Sequence, residues 1–334
     1  MSTDADNKRQ AAWSTYWAAG ALHSCAQSYQ HNYEGAIAAF WKSRAAQLPA
    51  GGRILDLATG NGALPLLLWN EAGTGTSLRI DAVDLAQVAP AWHQAGLHPG
   101  IDFHSGVAME ALPFPDATFD LVVSQYGVEY ARWPHALQES IRVAKPGGSV
   151  ALVMHHVDSV LVSVAREELR NQRLLLETGG LLASAREVMP FIAHARREGG
   201  NQNGSDAAQR ARLRYNAAMD RLGSEIEVSP VPDLLIETRS RVHGLVSDVG
   251  RMGAETQLVA VEILAKEFEA AILRTLEVIE HAVDARRLEQ LRACFRAGLP
   301  GHRIDCSPIT QEEGILGWGV VVAPGPTRPV ASTV

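Results

Sequence analysis

Residues 54–65 read Ile-Leu-Asp-Leu-Ala-Thr-Gly-Asn-Gly-Ala-Leu-Pro, and this stretch decides the fold. An apolar run leads into a glycine-rich turn, and a segment of helical pattern follows the turn. Gly60 and Gly62 allow the backbone to come close to a ligand where a Cβ would clash. The free N–H groups at the start of the next helix would then face an anion. The stretch therefore predicts a strand, a ligand-binding turn and a helix in that order.

Short runs rich in Val, Ile and Leu recur on both sides of this turn, and each is bounded by Gly, Pro or Asp. Such runs are typical of buried parallel strands. They cover residues 53–57, 79–83, 121–124, 149–154 and 315–322. Segments of helical length, residues 63–72 and 135–143, lie between them. Alternating strands and helices predict an α/β fold with a doubly wound parallel sheet.

Residues 158–300 follow a different pattern and contain 21 acidic and 19 basic side chains. Apolar residues recur there at helical spacing, which indicates helices that Asp158 and Asp206 could cap. A break near residues 284–287 is expected, because an unbroken last helix would be unusually long. Since a strand returns at residue 315, we interpret the segment as a large helical insertion in the α/β domain. It could form a cap over the site or a homodimer interface.

These patterns divide the chain into five segments. We expect a helical N-terminal segment over the active site, a ligand-binding α/β core, the insertion, the last strands of the core, and a flexible tail. Their predicted boundaries are residues 1–48, 49–157, 158–300, 301–324 and 325–334.

Composition narrows the possible functions. The chain has 334 residues, of which 46% are apolar and 20% are charged, as in ordinary globular proteins. The 37 acidic and 30 basic residues give a net charge of −7, which disfavours nucleic acid as a partner. The few, distant cysteines (Cys25, Cys294 and Cys306) exclude a disulfide framework and favour a reducing cytoplasm. No apolar run approaches the ~18 residues of a membrane span, so we expect no membrane partner.

Asp84 stands at the end of the second predicted strand, 22 residues after Gly62. A carboxylate at this place can accept hydrogen bonds from both hydroxyls of a ribose. A dinucleotide fingerprint would have glycine where this chain has Pro65, and Asp56 would sit badly beside a pyrophosphate. S-adenosylmethionine carries no phosphate and presents an ammonium group that Asp56 can meet. The residues therefore favour this cofactor, with a purely structural glycine turn as the alternative.

Four ordered motifs carry a resemblance to a known family. They are Asp-Leu-Ala-Thr-Gly-Asn-Gly at 56–62, Val-Asp-Leu at 83–85, Leu-Pro-Phe-Pro-Asp-Ala-Thr-Phe-Asp-Leu-Val-Val-Ser-Gln-Tyr-Gly at 112–127, and Arg-Val-Ala-Lys-Pro-Gly-Gly at 142–148. Together they resemble class I S-adenosylmethionine-dependent methyltransferases, most closely the ubiquinone/menaquinone-biosynthesis type. The resemblance covers residues 50–155 and the late strand near Trp318. It implies a Rossmann-like seven-stranded sheet whose last strand is antiparallel, and a methyl transfer function.

The resemblance also implies cofactor-binding positions. The glycine-rich turn would line the methionine end, Asp84 would hold the ribose and Leu85 would pack on the adenine. Two departures from the family pattern occur: Ala58 replaces the usual first glycine, and residues 106–110 lack the aspartate that binds the adenine amino group. Adenine recognition would then fall to the backbone of Ala108 and Met109. The assigned positions are Asp56, Ala58, Thr59, Gly60, Asn61, Gly62, Asp84, Leu85, Ala108, Met109, Ser124, Gln125 and Tyr126.

Candidate catalytic and substrate residues follow the strand ends and lie in the N-terminal segment. His155 and His156 follow the fifth strand, and either could act as a general base, since histidine titrates near neutrality. Alternatively, one caps the strand end and the other is solvated. The pair lacks a third ligand, so no metal site is predicted. Polar tips on apolar bodies suit a substrate pocket, and the candidates are Tyr16, His23, His31, Tyr33, Glu129 and Tyr130. Packing on the sheet is the alternative for the N-terminal aromatic residues.

We therefore expect a cytoplasmic enzyme that transfers a methyl group from S-adenosyl-L-methionine to a small-molecule acceptor, such as a biosynthetic or secondary metabolite. The acceptor atom could be oxygen, nitrogen or carbon. One alternative is a methyltransferase acting on protein or RNA, which the acidic charge and the expected cap oppose. Another is a non-catalytic cofactor-binding scaffold whose insertion mediates oligomerisation.

Overall fold

The computed structural model describes residues 4–24, 31–73, 77–197 and 205–325. Cys25 and residues 326–334 of the predicted flexible tail lie outside these ranges. The chain divides into two compact units: unit 1 comprises Met1–Val162 and Glu277–Val334, and unit 2 comprises Ser163–Leu276.

Unit 1 contains a mixed sheet of seven strands within the described ranges. The strands are β1 (Arg53–Leu57), β2 (Arg79–Asp84), β3 (Ile101–Ser105), β4 (Phe119–Gln125), β5 (Ala144–Met154), β6 (His302–Gln311) and β7 (Gly314–Pro324). Their order is β3-β2-β1-β4-β5-β7-β6. Strands β1 to β5 are parallel, and β7 runs antiparallel between β5 and β6. The predicted Rossmann-like sheet with an antiparallel last strand is therefore confirmed.

The strand order reverses between β1 and β4, and this reversal places the ligand crevice. In open α/β sheets, ligands bind beyond the carboxyl ends of the strands at such a switch point. The strands β1, β2 and β4 are almost wholly buried, as their apolar sequences require. Asp56, Asp84 and Gln125 therefore lie at neighbouring strand ends.

The helices of unit 1 flank this sheet. They are α1 (Asp4–Ala18), α2 (Gly35–Ala45), α3 (Ala63–Ala72), a 3-10 turn (Val128–Tyr130), α4 (His135–Val143) and α10 (Ala285–Gly298). The bounds predicted for α3 and α4 are confirmed. Trp41 of α2 lies in the core on one side of the sheet, and Phe295 of α10 lies in the core on the other.

Unit 2 is helical. Its residues come from α5 (Val160–Leu176), α6 (Leu181–Arg197), α7 (Asp206–Val228), α8 (Asp233–Met252) and α9 (Ala254–His281). These helices share their own apolar core, which includes Met189, Val242 and Phe268. No helix in the described part of the chain is both long and apolar enough to cross a bilayer.

The insertion is shorter than the predicted segment 158–300. Residues 277–300 belong to unit 1, because Leu291 and Phe295 of α10 pack into the core of the sheet. The expected break is confirmed: α9 ends at His281, and the side chain of Asp284 caps α10 by accepting a hydrogen bond from the Arg287 amide at 2.7 Å.

The other two helix caps differ by one residue from the prediction. At the start of α5 it is Ser159 Oγ, not Asp158, that accepts a hydrogen bond from the Val162 amide at 3.2 Å. At α7 the cap is Ser205, whose Oγ accepts from the Ala208 amide at 3.3 Å. Asp206 is already inside the helix, and its negative charge in the first turn stabilises the helix by interacting with the helix dipole.

The corrected cap of α5 predicts a difference between two neighbouring substitutions. Ser159→Ala should lower the free energy of unfolding by about 1 kcal/mol, because the Val162 amide loses its hydrogen-bond acceptor. Asp158→Ala, at an exposed neighbour, should change it by less than about 0.5 kcal/mol. Urea denaturation followed by circular dichroism measures both, and a larger loss for Asp158→Ala would contradict the assignment.

Candidate active site

A cavity of about 330 Å³ lies at the carboxyl ends of β1, β2 and β4 in unit 1. It is lined by most of the predicted cofactor positions and by three of the predicted substrate positions. These are Asp56, Ala58, Thr59, Asp84, Leu85, Ala108, Met109, Gln125 and Tyr126, with His23, Tyr33 and Tyr130. The structure therefore brings nine of the thirteen predicted cofactor positions and three of the six predicted substrate positions into one cavity.

The two glycines of the turn have aromatic rings of the protein at the places where their side chains would stand. Both have positive φ, +54° at Gly60 and +75° at Gly62. A Cβ on Gly60 would lie 2.5 Å from the indole of Trp17, and one on Gly62 would lie 2.5 Å from the ring of Phe103. Aromatic rings thus occupy the space that the missing side chains leave. Asn61 adds to this contact, since its Nδ2 donates to the carbonyls of Trp17 and Ala21.

Ala58 stands where the resembled family has glycine, and its φ is +55°. This left-handed conformation costs a residue with a Cβ roughly 1–2 kcal/mol. Its methyl group fits because residue 127 is glycine: a Cβ on Gly127 would overlap the Cβ of Ala58. The two positions therefore form a matched pair.

The carboxylate of Asp84 is buried and accepts two backbone hydrogen bonds. Oδ2 accepts from the Gly60 amide at 2.8 Å, and Oδ1 accepts from the Ala86 amide at 2.7 Å. Burial raises the pKa of Asp84 to about 6, although the two amides act in the opposite direction. A carboxylate oxygen has more than one acceptor site, so these bonds leave acceptor capacity for a ligand in the cavity.

Asp56 is the more strained carboxyl group. Its Oδ2 is buried and has no hydrogen-bond partner among the described residues. Burial raises the pKa of Asp56 to about 8; the Thr59 hydroxyl lowers it in part, and the nearby Asp84 carboxylate raises it further. A cationic ligand group beside Asp56 would supply the missing partner.

Gln125 presents a hydrogen-bond donor to the cavity in which Asp56 presents an acceptor. Its Oε1 accepts a hydrogen bond from the indole of Trp41 at 2.5 Å. This bond fixes the amide, and its buried Nε2 has no partner within the part of the chain that the structure describes. The wall therefore carries a buried acceptor and a buried donor that a polar ligand can satisfy.

One wall of the cavity, here called the roof, consists of Arg9, Gln10, Trp13 and Trp17 of α1. The Gln10 amide donates to the Leu85 carbonyl at 2.8 Å. The Trp13 and Trp17 rings stack with centroids 5.6 Å apart. The Gln10 contact joins α1 to the loop after β2, and the bond from Asn61 Nδ2 to the Trp17 carbonyl joins it to the glycine-rich turn.

Glu277 supports this roof and escaped the sequence analysis. Its two carboxylate oxygens accept from Arg9 Nε at 2.5 Å and from the Trp13 indole at 3.2 Å. No local pattern marks Glu277, because its partners lie at the other end of the sequence.

The predicted catalytic histidines do not line the cavity. His155 Nδ1 and its backbone amide both bond to Oε1 of Glu129, at 2.8 and 2.9 Å, and both side chains are buried. The imidazole stacks on the inner side of Tyr126, with centroids 4.3 Å apart. Since a general base must reach the substrate, His155 and its partner Glu129 support the wall and do not form it.

His156 has a structural environment as well. Its Nδ1 accepts a hydrogen bond from the Asp158 amide at 2.9 Å, and its ring lies 4.5 Å from that of Trp318. Burial lowers the pKa of His156. Ser124, a predicted cofactor position, is likewise engaged inside the protein, because its Oγ donates to the Leu57 carbonyl at 3.0 Å.

Among the N-terminal candidates, Tyr16, His31 and Tyr33 all contact His23. His23 lines the cavity, and its Nε2 donates to the His31 carbonyl at 3.0 Å. Its ring stacks on Tyr33 at 4.8 Å, and the hydroxyl of Tyr16 donates to the His23 carbonyl. Burial lowers the pKa of His23, which favours the neutral imidazole. Tyr16 and His31 thus position His23 and are not part of the described wall.

No cluster of three or more His, Cys, Asp or Glu side chains with metal-binding geometry occurs among the residues described.

Comparison with known proteins finds relatives for part of the chain, including the residues of the cavity that lie between 54 and 148. Residues 54–148 match the methyltransferase domain family. The chain is 31% identical over 147 residues to a ubiquinone/menaquinone biosynthesis C-methyltransferase of Methylobacterium nodulans, covering 43% of this chain and 58% of that protein. It is 32% identical over 181 residues to the 27-O-demethylrifamycin SV methyltransferase of Amycolatopsis mediterranei, covering 52% and 63%. The solved YcgJ protein of Bacillus subtilis is 25% identical, with 41% and 58% covered and a TM-score of 0.33.

The family match and the two curated relatives confirm the predicted resemblance to class I S-adenosylmethionine-dependent methyltransferases. The matched residues 54–148 contain β1 except Arg53, all of β2, β3 and β4, and the helices α3 and α4. The chain spans between 42% and 63% of the length of the curated relatives that it matches.

The environment of Asp56 predicts that replacing this residue stabilises the ligand-free protein. Because its pKa is raised from 3.8 to about 8, the protonated form is favoured in the folded state. The contribution of protonated Asp56 to the free energy of unfolding is fully present below pH 3.8 and is lost as the pH rises through about 8. Asp56→Asn removes this loss, so it should raise the free energy of unfolding by about 1–3 kcal/mol at pH 8.5.

Urea denaturation of both proteins at pH 5 and pH 8.5 measures the effect. The exposed Asp102 provides a control, since Asp102→Asn should behave as wild type at both pH values. A gain from Asp56→Asn that did not increase with pH would contradict the assignment.

The pair formed by Ala58 and Gly127 predicts a compensated double substitution. Gly127→Ala should lower the free energy of unfolding by about 1–3 kcal/mol, because two methyl groups would overlap. Adding Ala58→Gly should recover most of this loss, since it removes one of the methyl groups and the strain of a positive φ. Thermal denaturation of the two single variants and the double variant measures the coupling, and additive effects would show that the contact is absent.

Proposed function

We propose that this chain is an S-adenosylmethionine-dependent methyltransferase that acts on a small-molecule acceptor. The observation that carries the proposal is that the cavity lining holds an unsatisfied buried acceptor, Asp56 Oδ2, and an unsatisfied buried donor, Gln125 Nε2. Both lie within the methyltransferase domain. A ligand with an ammonium group and a hydrogen-bond acceptor would satisfy both, and the methionine moiety of S-adenosylmethionine has these groups.

The other lining residues fit the rest of this cofactor. Asp84 would hold the ribose hydroxyls, while its backbone partners keep the carboxylate oriented. Leu85 and Met109 supply apolar surface for the adenine. When bound, the cofactor supplies an activated methyl group on a sulfonium, so orientation by the protein accounts for much of the rate enhancement.

The remaining wall favours an uncharged acceptor of moderate size. It is largely aromatic, with Trp13, Trp17, Tyr33 and Tyr130. The two arginines described in it are already paired, Arg9 with Glu277 and Arg132 with Glu110. An uncharged molecule needs no further charge partner there. The named small-molecule relative from Amycolatopsis supports the same class.

His23 is our candidate for the group that accepts a proton from an acceptor hydroxyl. It lines the cavity, whereas His155 and His156 do not. Burial keeps its imidazole neutral, which is the form that can take up a proton. The contacts from Tyr33 and His31 hold the ring in place.

The alternatives have less support. Activity on protein or RNA would suit an open basic surface beside the cofactor, whereas the acidic chain presents paired arginines and a roof. A non-catalytic scaffold would suit a blocked cavity, and this cavity has room for a ligand. A cytoplasmic location remains our proposal from cysteine usage, and the cap and homodimer roles of the insertion remain predictions.

Cofactor binding tests the proposal directly. Asp84→Asn and Asp56→Asn should each weaken S-adenosylmethionine binding about 10- to 100-fold, the range for a lost charge-assisted hydrogen bond. Asp102→Asn, exposed on β3, is the matched control and should bind as wild type. Isothermal titration calorimetry measures all four proteins, and wild-type affinity in both cavity variants would overturn the proposal.

The same titrations should depend on pH. With a pKa near 8, Asp56 is mostly protonated at pH 6 and must release a proton to meet an ammonium group. Affinity should therefore rise between pH 6 and pH 8 and then level off, and Asp56→Asn should flatten this rise. Labelled methyl transfer to panels of uncharged and charged small molecules then identifies the acceptor class.

A further inference from the structure

Glu277 is a buried carboxylate in the last turn of α9, within unit 1. It does not line the cavity, but both of its hydrogen-bond partners, Arg9 and Trp13, belong to the roof. Arg9 Nε donates to Oε1 and the Trp13 indole donates to Oε2, so each oxygen holds one roof residue. A single side chain thus fixes two neighbouring turns of α1.

Polar contacts add to the aromatic packing that attaches α1 to the rest of unit 1. Among its described side chains Ala12 is buried, and the others are half-buried or exposed. The polar contacts of α1 include Glu277, the Leu85 carbonyl that accepts from Gln10, and Ser14 Oγ, which accepts from the Gln87 amide at 3.0 Å. The contact of Arg9 with Glu277 is charge-assisted, which makes it the strongest of these.

Movement of this contact would be transmitted across the roof. Trp13 stacks on Trp17, and Trp17 covers Gly60 of the glycine-rich turn. Trp13 also lies 6.2 Å from Tyr130, measured between centroids, on the opposite wall. A change at Glu277 should therefore alter the side of the cavity that a bound cofactor faces.

We propose that Glu277 is a positioning residue that clamps α1 over the bound cofactor and slows its release. This inference rests on the proposed function, because it assumes that S-adenosylmethionine and its product bind in the cavity. The carboxylate itself touches neither ligand. It acts through Arg9 and Trp13. Its removal should speed the release of the bound ligand and leave the geometry of the sheet unchanged.

The test uses S-adenosylhomocysteine as the probe and the full chain in stopped-flow tryptophan fluorescence. Glu277→Gln should raise the dissociation rate about 10-fold, as loss of a charge-assisted hydrogen bond does. Glu280→Gln is the matched control: Glu280 is exposed on the same helix, and its substitution should leave the rate within about 2-fold of wild type.

A double-substitution cycle separates clamping from general destabilisation. Arg9→Gln should raise the dissociation rate as Glu277→Gln does, and the double variant should be no faster than either single variant. Hydrogen exchange should increase in residues 7–17 of both single variants and stay unchanged in β1 and β4. A merely structural role would lower thermal stability without moving these two readouts.

Each outcome has a definite meaning. If wild type fails to bind S-adenosylhomocysteine, the proposed function falls and the clamp falls with it. If wild type binds and Glu277→Gln releases the probe at the rate of Glu280→Gln, the clamp alone is overturned. If Glu277→Gln does not fold, Arg9→Gln decides, because an unchanged dissociation rate in that variant overturns the clamp.

Discussion

The carboxylate of Asp84 accepts hydrogen bonds from the amides of Gly60 and Ala86, and most of the cavity depends on this bridge. It ties the glycine-rich turn after β1 to the end of β2. With the turn in place, Asn61 can hold the carbonyls at the end of α1, and Trp17 can pack against Gly60. The roof is thus built on a turn that one buried side chain positions.

The same region stores most of the strain seen in unit 1. Asp56 is a buried carboxyl group with an unsatisfied oxygen, and Ala58 and Tyr126 adopt positive φ values of +55° and +53°. Such features reduce stability unless a ligand or a tight neighbour compensates for them. Gly127 accommodates Ala58, and a cationic ligand would compensate Asp56. Backbone strain clusters at functional sites, and the buried strands beneath this wall are the rigid support that a preorganised site needs.

Side chains behind the wall are as important as those in it. His155, predicted as a base, is held by Glu129 and supports Tyr126 from within. Glu277 performs the corresponding task for the roof. In both cases a buried carboxylate fixes a cationic or hydrogen-bonding side chain. The wall is therefore positioned by two buried carboxylates, Glu129 and Glu277, that do not line the cavity.

The sequence by itself determined five of the seven strands, β1, β2, β4, β5 and β7, and the two helices that follow β1 and the 3-10 turn, because burial and periodicity are properties of short segments. It also located Asp56 and Asp84, since both follow directly from the ends of predicted strands. It did not mark β3 and β6, whose residues are mostly exposed or half-buried and form no apolar run. Only the tertiary structure decided that Trp17 fills the space at Gly60, and that Arg9 meets Glu277 across 268 residues of sequence. It also showed that His155 and His156 do not line the cavity. Contacts between distant segments depend on how whole elements pack, and no local pattern of residues encodes that packing.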